Sequence, residues 1–423
     1  MYLTQTNILR GLTKKQYNCL KLMCQYSNNL FNVGLYNVRQ YYFQTKKFLS
    51  YESNYHICKQ NENYKRIQAG VSQQILRVVD RSFKSFFNLI KKAQKGEYRF
   101  QDINIPHYKE KGGLFPLIVN KGNLTKDMKH ICVPMSREFM KEHPDCRIIL
   151  PIPERLKNKE FKEIRILPCY NGQYFKIQYV FKGTIEDLKL DKSNTLAVDI
   201  GLTNLMTCVD SDGNSFIIDG KQLKAINQFY NKEIAYYQGI NDKQNHNKKG
   251  TKRTKRINRM TMKRNNQCKD YINKACRKVV NYCIENNIGK LVIGYNPDFT
   301  RNINLGKQNN QNFTQISFGN IRTQLQSLCE RRGIEYIEQE ESYTSKASFY
   351  DLDELPVYNA NNPYTGKFSG KRIKRGLYKS KEGKLLNADV NGACNILRKS
   401  KQNFNYERLC RGLLNRPCRI RLL

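Results

Sequence analysis

The chain has 423 residues, with 74 Lys and Arg against 36 Asp and Glu, a formal net charge of +38. That length supplies two or three domains, and the imbalance of sign calls for a polyanionic partner, a nucleic acid or an anionic surface. No apolar run is long enough to span a membrane and no signal peptide follows Met1, so the expectation is a cytoplasmic protein without membrane contact.

The first half reads as helices framed by strands. Leu20, Met23, Cys24, Ser27, Leu30, Phe31, Leu35 and Val38 recur at helical spacing, as do Val71, Ile75, Val78, Phe86 and Ile90, which predicts helices over about 12–95. Tyr and Phe crowd 36–55 with Lys and Arg between them; they either pack a core or stack on unpaired bases. RIILPI (147–152), EIRILP (163–168) and QYFKIQYVF (173–181) are strand-like, with Asn171-Gly172 as a hairpin turn. Phe175, Ile177, Tyr179 and Phe181 alternate along the last of these. Residues 1–190 are therefore expected to form an antiparallel β-module, a barrel, with a helical insertion.

A connection over 181–194 leads into a second domain, 191–397. A strand ending at Asp199 comes first, then a hairpin (205–209 and 215–218) turning at Asp212-Gly213. Helical segments over about 221–287, strand KLVIGY (290–295), helix 315–332, strand EYIEQ (335–339) and a helix from Asp389 follow. Three strands, helix, strand, helix, strand, helix is the order of a ribonuclease-H-like α/β domain. Its first strand is central and ends facing the final helix, which would bring Asp199 and Asp389 together. The predicted class is thus α/β plus α+β.

Three segments concentrate charge. Residues 243–264 hold ten Lys or Arg and no acid, 367–384 eight against one, and 398–421 eight against one. Each reads as a solvated face or tail, or as the wall of a nucleic-acid channel. For the channel, Lys248, Lys249, Lys252, Arg253, Lys255 and Arg256 come from the first segment. Lys371, Arg372, Lys374 and Arg375 come from the second. The fourteen cysteines include no C-x-x-C pair, and Cys208, Cys276, Cys283 and Cys394 lie on apolar faces, so buried free thiols are expected rather than a zinc ribbon. The five histidines show no ligand spacing.

Two carboxylates on rigid elements of a strongly cationic chain point to metal-dependent cutting of nucleic acid. Two-metal cleavage needs acids that bridge ions about 3.5–4 Å apart. LAVDIGLTN, YTSKAS (343–348) and NADVNGACNIL resemble the landmarks of TnpB proteins, the OrfB-type RNA-guided nucleases of insertion sequences. Those proteins are similar to miniature type V CRISPR effectors. The motifs cover roughly 195–397, and the remainder agrees in layout.

The resemblance implies a RuvC-like nuclease behind a β-wedge with a helical recognition region, and makes Asp199 and Asp389 the first and last RuvC carboxylates. It also implies a Glu after the fourth strand and a four-cysteine zinc ribbon before the last Asp. Here Gly294 stands at the first place, and 345–388 hold neither Cys nor His. A basic segment, 350–388, takes the ribbon's place, and 398–423 read as a basic tail. The missing acid is expected from the fifth strand, EYIEQEESYTS, with Glu341 first, then Glu340, then Glu338.

What the resemblance implies is a bacterial RNA-guided DNA endonuclease of a mobile element, in the cytoplasm and nucleoid-associated when bound. Asp199, Glu341 and Asp389 would hold two Mg²⁺ (or Mn²⁺) ions, with no zinc. Guide RNA and target double-stranded DNA would be its partners, and it would act as a monomer or a homodimer. The rival is a guided DNA-binding, repressor-like protein whose nuclease is dead. An actin-like ATPase lacks its second Asp-x-Gly turn here, and a DNA-strand transposase fits the motifs less well.

Overall fold

The computed structural model describes residues 1–123, 125–127, 129–246, 253–296, 311, 315–359, 364–402 and 404–422. The chain divides into two units, Met1–Thr184 and Ile185–Leu423.

In the first unit, β1 (Tyr2–Ile8) precedes four helices, α1 (Lys14–Thr45), α2 (Tyr51–Cys58), α3 (Glu62–Lys65) and α4 (Ala69–Gln94). Thr13 starts α1 with a reciprocal capping box to Gln16, and Lys46 ends it in the left-handed conformation. The predicted stripes, Leu20, Leu30, Leu35 and Val38 on α1 and Val71 and Ile75 on α4, are buried in one core. Of the aromatics between 36 and 55, Tyr41, Phe48, Tyr51 and Tyr55 pack against that core, whereas Tyr36 and Phe43 are exposed.

The strands β2 (Leu117–Asn120), β3 (Thr125–Lys126) and β4 (His130–Cys132), the short helix α5 (Arg137–Glu142), then β5 (Ile149–Pro151), β6 (Phe161–Cys169) and β7 (Tyr174–Lys182) complete the unit. Phe175, Ile177 and Tyr179 are buried on one face of β7, as the alternation predicts, and Phe181 packs beside them. The expected barrel does not appear among the described residues. The strands form two open sheets, β1-β7-β6-β2 and β3-β4-β5. They share one hydrophobic core, and the Tyr179 hydroxyl donates to the Pro151 carbonyl between them.

The second unit begins with β8 (Thr195–Ile200), β9 (Asn204–Asp210) and β10 (Ser215–Asp219), then α6 (Lys221–Gln244), α7 (Lys255–Glu285) and β11 (Lys290–Tyr295). Next come α8 (Phe318–Glu330), β12 (Glu335–Glu340), β13 (Lys371–Lys374), β14 (Leu377–Lys379), β15 (Leu385–Asn387) and α9 (Ala388–Ser400). Then α10 (Tyr406–Arg411) and β16 (Cys418–Ile420) follow. The main sheet has the order β12-β11-β8-β9-β10-β16. β8 is interior, antiparallel to β9 and parallel to β11, and β11 is parallel to β12.

Alternation along β8 sends Leu196 and Val198 into a core shared with α7 and α8, and Ala197 into a second core built with α9. The sheet is thus covered on both faces, and Cys208, Cys276, Cys283 and Cys394 are buried free thiols.

One expectation is corrected here. Residues 398–423 are not a tail appended to a finished domain: α9 continues to Ser400, and β16 joins the main sheet in parallel with β10. Within the basic segment 350–388, β13, β14 and β15 form their own antiparallel sheet. Its anchor is a carboxylate. Asp353 accepts from the Ser348 amide (2.8 Å), the Ser369 amide (3.0 Å) and the Ser369 hydroxyl (2.5 Å). Among the described residues no helix is long and apolar enough to cross a membrane.

Candidate active site

The strand period of two selects which acids share a face. Ala197 packs under α9, so Asp199, two residues on, points to the α9 side. Val292 belongs to the same core, which puts Gly294 on that side of β11. Ile337 packs there too, so Gln339 and Glu341 follow it on β12 and just beyond. β11 and β12 run in parallel with Tyr295 opposite Glu340, and the Glu341 amide donates to the Tyr295 carbonyl at 3.2 Å.

Glu341 therefore reaches over β11 where a side chain from that strand would otherwise stand. A Cβ on Gly294 would collide with Glu341 Oε2 and lie 2.6 Å from Ile396 Cδ1 of α9. The other two acids are engaged elsewhere. Glu340 is paired with Lys399 at 2.5 Å, and Glu338 accepts from the Tyr336 hydroxyl (3.0 Å) and pairs with Arg322 of α8 at 3.5 Å. The same Lys399 also donates to the Ser342 (3.0 Å) and Pro356 (2.9 Å) carbonyls, pinning the loop that carries Glu341.

Asp389 sits in the first turn of α9, where unpaired amides favour a carboxylate. Asn387 caps that turn, its Oδ1 accepting from the amides of Asp389 (3.0 Å) and Val390 (3.2 Å). Both Asp389 oxygens have partners: Asn204 Nδ2 donates to Oδ2 at 2.6 Å, and Arg372 of β13 meets Oδ1 at 3.3 Å. Gly392, one turn along, clears room for Asp199, since a Cβ there would lie 2.7 Å from Asp199 Oδ2. Asn391 and Asn395 donate to carbonyls of Thr344 and Ala347 (2.7–2.9 Å), so the helix also holds the 343–348 segment.

Burial pushes the Asp199 carboxyl well above its usual value, and the charges of Glu341 and Asp389 push it the same way while Arg372 opposes them. Burial likewise raises Glu341 to about 7, with Glu340 adding to the shift and Arg322 and Lys399 working against it. Burial acts to raise Glu340 too, but the Lys399 ammonium and hydrogen bonds from Ser342 hold it below the ordinary carboxylate range. The site is thus an acid cluster lacking enough positive charge of its own.

Hard oxygen donors under mutual repulsion fit a divalent cation of the magnesium type. Among the described residues, however, no three His, Cys, Asp or Glu side chains converge into a closed ligand cage. Both oxygens of Asp389 are spent on Arg372 and Asn204 instead.

Of the cationic residues read from the sequence, Lys248, Lys249 and Lys252 lie outside the described residues. Arg253, Lys255 and Arg256 are exposed at the start of α7, with Arg256 stacked over the Tyr237 ring at 3.9 Å. Lys371, Arg372, Lys374 and Arg375 are exposed on and beside β13. Lys371 and Arg372 line a cavity of about 560 Å³ together with Lys346, Lys367, Phe368 and Tyr378. Sequence reasoning assigned no role to Asn204 or Lys399. Asn204 ends the LAVDIGLTN motif, and that position was its only signal.

Residues 182–300 match the OrfB_IS605 family of probable transposases, and residues 318–396 match the Cas12f1-like TNB domain. The chain is TnpB-like. No curated protein matches it. The solved Cas12f1–sgRNA–target DNA complex aligns with the TnpB-like chain over 91% of its length and 83% of its own, at 14% identity and a TM-score of 0.59. That likeness establishes a shared fold. The mini-RNA-guided endonuclease CRISPR-Cas phi3 aligns over 95% and 92%, at 10% identity and a TM-score of 0.47.

Proposed function

We propose that the chain is an RNA-guided DNA endonuclease of a mobile element, cutting with Asp199, Glu341 and Asp389. The observation that carries this reading is the Glu341 carboxylate lying over Gly294. An acid absent from the fourth strand of the sheet is supplied from the fifth, on the same face as Asp199. A protein that only bound DNA would have no use for Glu341 and Asp389 crowding their charge onto Asp199.

The strand order, with β8 interior and α9 across its end, supports a ribonuclease-H-like nuclease. Asp199, Glu341 and Asp389 would hold two Mg²⁺ or Mn²⁺ ions, which when bound supply Lewis acidity for water activation and for the leaving oxygen. To hold a metal, Asp389 would give up Arg372, whose guanidinium would then be free to donate to a phosphate. Asn204 keeps one Asp389 oxygen oriented throughout. Guide RNA is held by backbone charge and shape, and base pairing reads the DNA target. The cation-rich surfaces of α7 and β13 serve that purpose, and the protein works in the cytoplasm, on the nucleoid.

Cleavage of matched DNA by the protein purified with its RNA, with and without Mg²⁺, tests the reading. Wild type should cut only with metal, and Asp199→Ala and Glu341→Ala should bind the target without cutting it. Guided binding by wild type with no cutting under any divalent metal would make the chain a targeting protein instead.

A further inference from the structure

The orientation of Asp389 is set from the far edge of the sheet. β16 lies parallel to β10, with Arg419 opposite Ile217. From there Arg419 Nη1 donates to Asn204 Oδ1 at 2.9 Å, and Asn204 Nδ2 donates to Asp389 Oδ2 at 2.6 Å. Asn204 is 9% exposed, so water offers little substitute for either bond.

The amide of Asn204 has two ends of opposite character, and its neighbours allow only one arrangement. A guanidinium is purely a donor and an ionised carboxylate purely an acceptor. With Arg419 claiming Oδ1, the NH₂ must face Asp389. Turned about, the amide would set its oxygen against the carboxylate and its NH₂ against the guanidinium. Arg419 is itself steadied by Asp219, a carboxylate 3.9 Å away whose side chain is 6% exposed and which pairs in register with Asn204. Arg421 lies 4.0 Å from the same Asp219 oxygen, so that acid keeps a cation when Arg419 is replaced.

We infer that Asn204 and Arg419 are positioning residues for Asp389, with Arg419 locking the amide so that its NH₂ holds Oδ2 and leaves Oδ1, now facing Arg372, as the oxygen that would meet a cation. This rests on the nuclease reading above. Arg419 acts on Asp389 through Asn204.

The experiment uses the full chain with its guide RNA and compares wild type with Asn204→Ala, Arg419→Gln and Arg419→Lys. It reads Mn²⁺ affinity by calorimetry, cleavage rate, target-DNA binding and melting temperature. Asn204→Ala and Arg419→Gln should lose roughly 10–100-fold in Mn²⁺ affinity and in cleavage, the usual effect of removing a ligand's orienting partner. DNA binding should stay at the wild-type level, and the melting temperature should fall no further in Arg419→Gln than in Arg419→Lys. Gln can accept as well as donate and frees the amide to turn, whereas Lys has only donors, so Arg419→Lys should keep most of both activities.

Wild-type Mn²⁺ affinity in Arg419→Gln, or equal losses in the Gln and Lys variants, would overturn the inference. So would a melting temperature that falls in step with cleavage, which would mark a merely structural role. A wild-type complex that binds DNA but neither takes up Mn²⁺ nor cuts overturns the nuclease reading, and this inference with it.

Discussion

Glu341 and Gly294 occupy one space between them: the carboxylate of the first stands where a side chain on the second would begin. On the proposed reading, the acid that β11 lacks comes from the end of its parallel neighbour β12. Gly294→Ala should therefore act as a steric block, displacing Glu341 and pressing on Ile396. Cleavage should fall at least about tenfold, by the loss expected from a misplaced catalytic group, with guided DNA binding intact. The exchange Gly294→Glu with Glu341→Gly returns the acid to β11 and should recover cutting that neither single variant shows. Gel-resolved cleavage rates of the four proteins check this.

Stability should depend on pH in the direction opposite to that of a salt-bridged acid. Glu341 is held at about 7 in the folded protein against an ordinary 4.5, so the folded state binds the proton more tightly. Its contribution is complete below about pH 4.5 and is lost as the pH rises through 7. The metal-free protein should melt progressively lower from pH 5 to 8, with Glu341 accounting for at most about 3 kcal/mol at 1.36 kcal/mol per pH unit. Asp199 shifts in the same sense. Glu341→Gln should flatten the profile, as should added Mg²⁺, and scanning calorimetry in chelator measures both.

Lys399 supports the Glu341 loop from α9. Its side chain is 7% exposed, and Lys399→Met would strip Glu340 of its partner and two carbonyls of a donor. Breaking a fully buried pair loses 3–5 kcal/mol; with Glu340 about a third exposed, a loss of about 2 kcal/mol is expected. Adding Glu340→Gln should restore part of it, since no unpaired charge remains. Urea denaturation of both variants is the measurement.

Asp353 does for the 369–387 sheet what a bound ion would do for a ribbon, tying Ser348 and Ser369 together. Asp353→Ala should leave the main sheet intact but open this segment to protease. Limited trypsin digestion, with its many Lys and Arg sites there, should cut within 367–384 several times faster than in wild type.

The order of strands and helices in the second unit was legible because each carries a local signal: apolar runs in β8 and β11, Asp212-Gly213 between β9 and β10, the NADVNGACNIL motif at α9. Choosing among Glu338, Glu340 and Glu341 needed one step more. Alternation from Ile337 sets Glu341 apart from the other two, but only once packing shows which face α9 covers. β16 was illegible, because three residues, Cys418–Ile420, carry no periodicity and pair with a strand two hundred positions away. Whether the strands of the first unit close was illegible for a related reason: alternation reports which face is buried and says nothing about whether sheet edges meet.

The first unit draws its outer strand from residues 2–8 and pairs it with 174–182, so it is complete once about 184 residues have left a ribosome. The acid cluster is assembled on a different schedule. Asp199 emerges early, but Glu341, Asp389 and the Gly392 that makes room for it all come from the last fifth of the 423 residues. During synthesis, then, the first unit can fold while the acid cluster of the second is still incomplete.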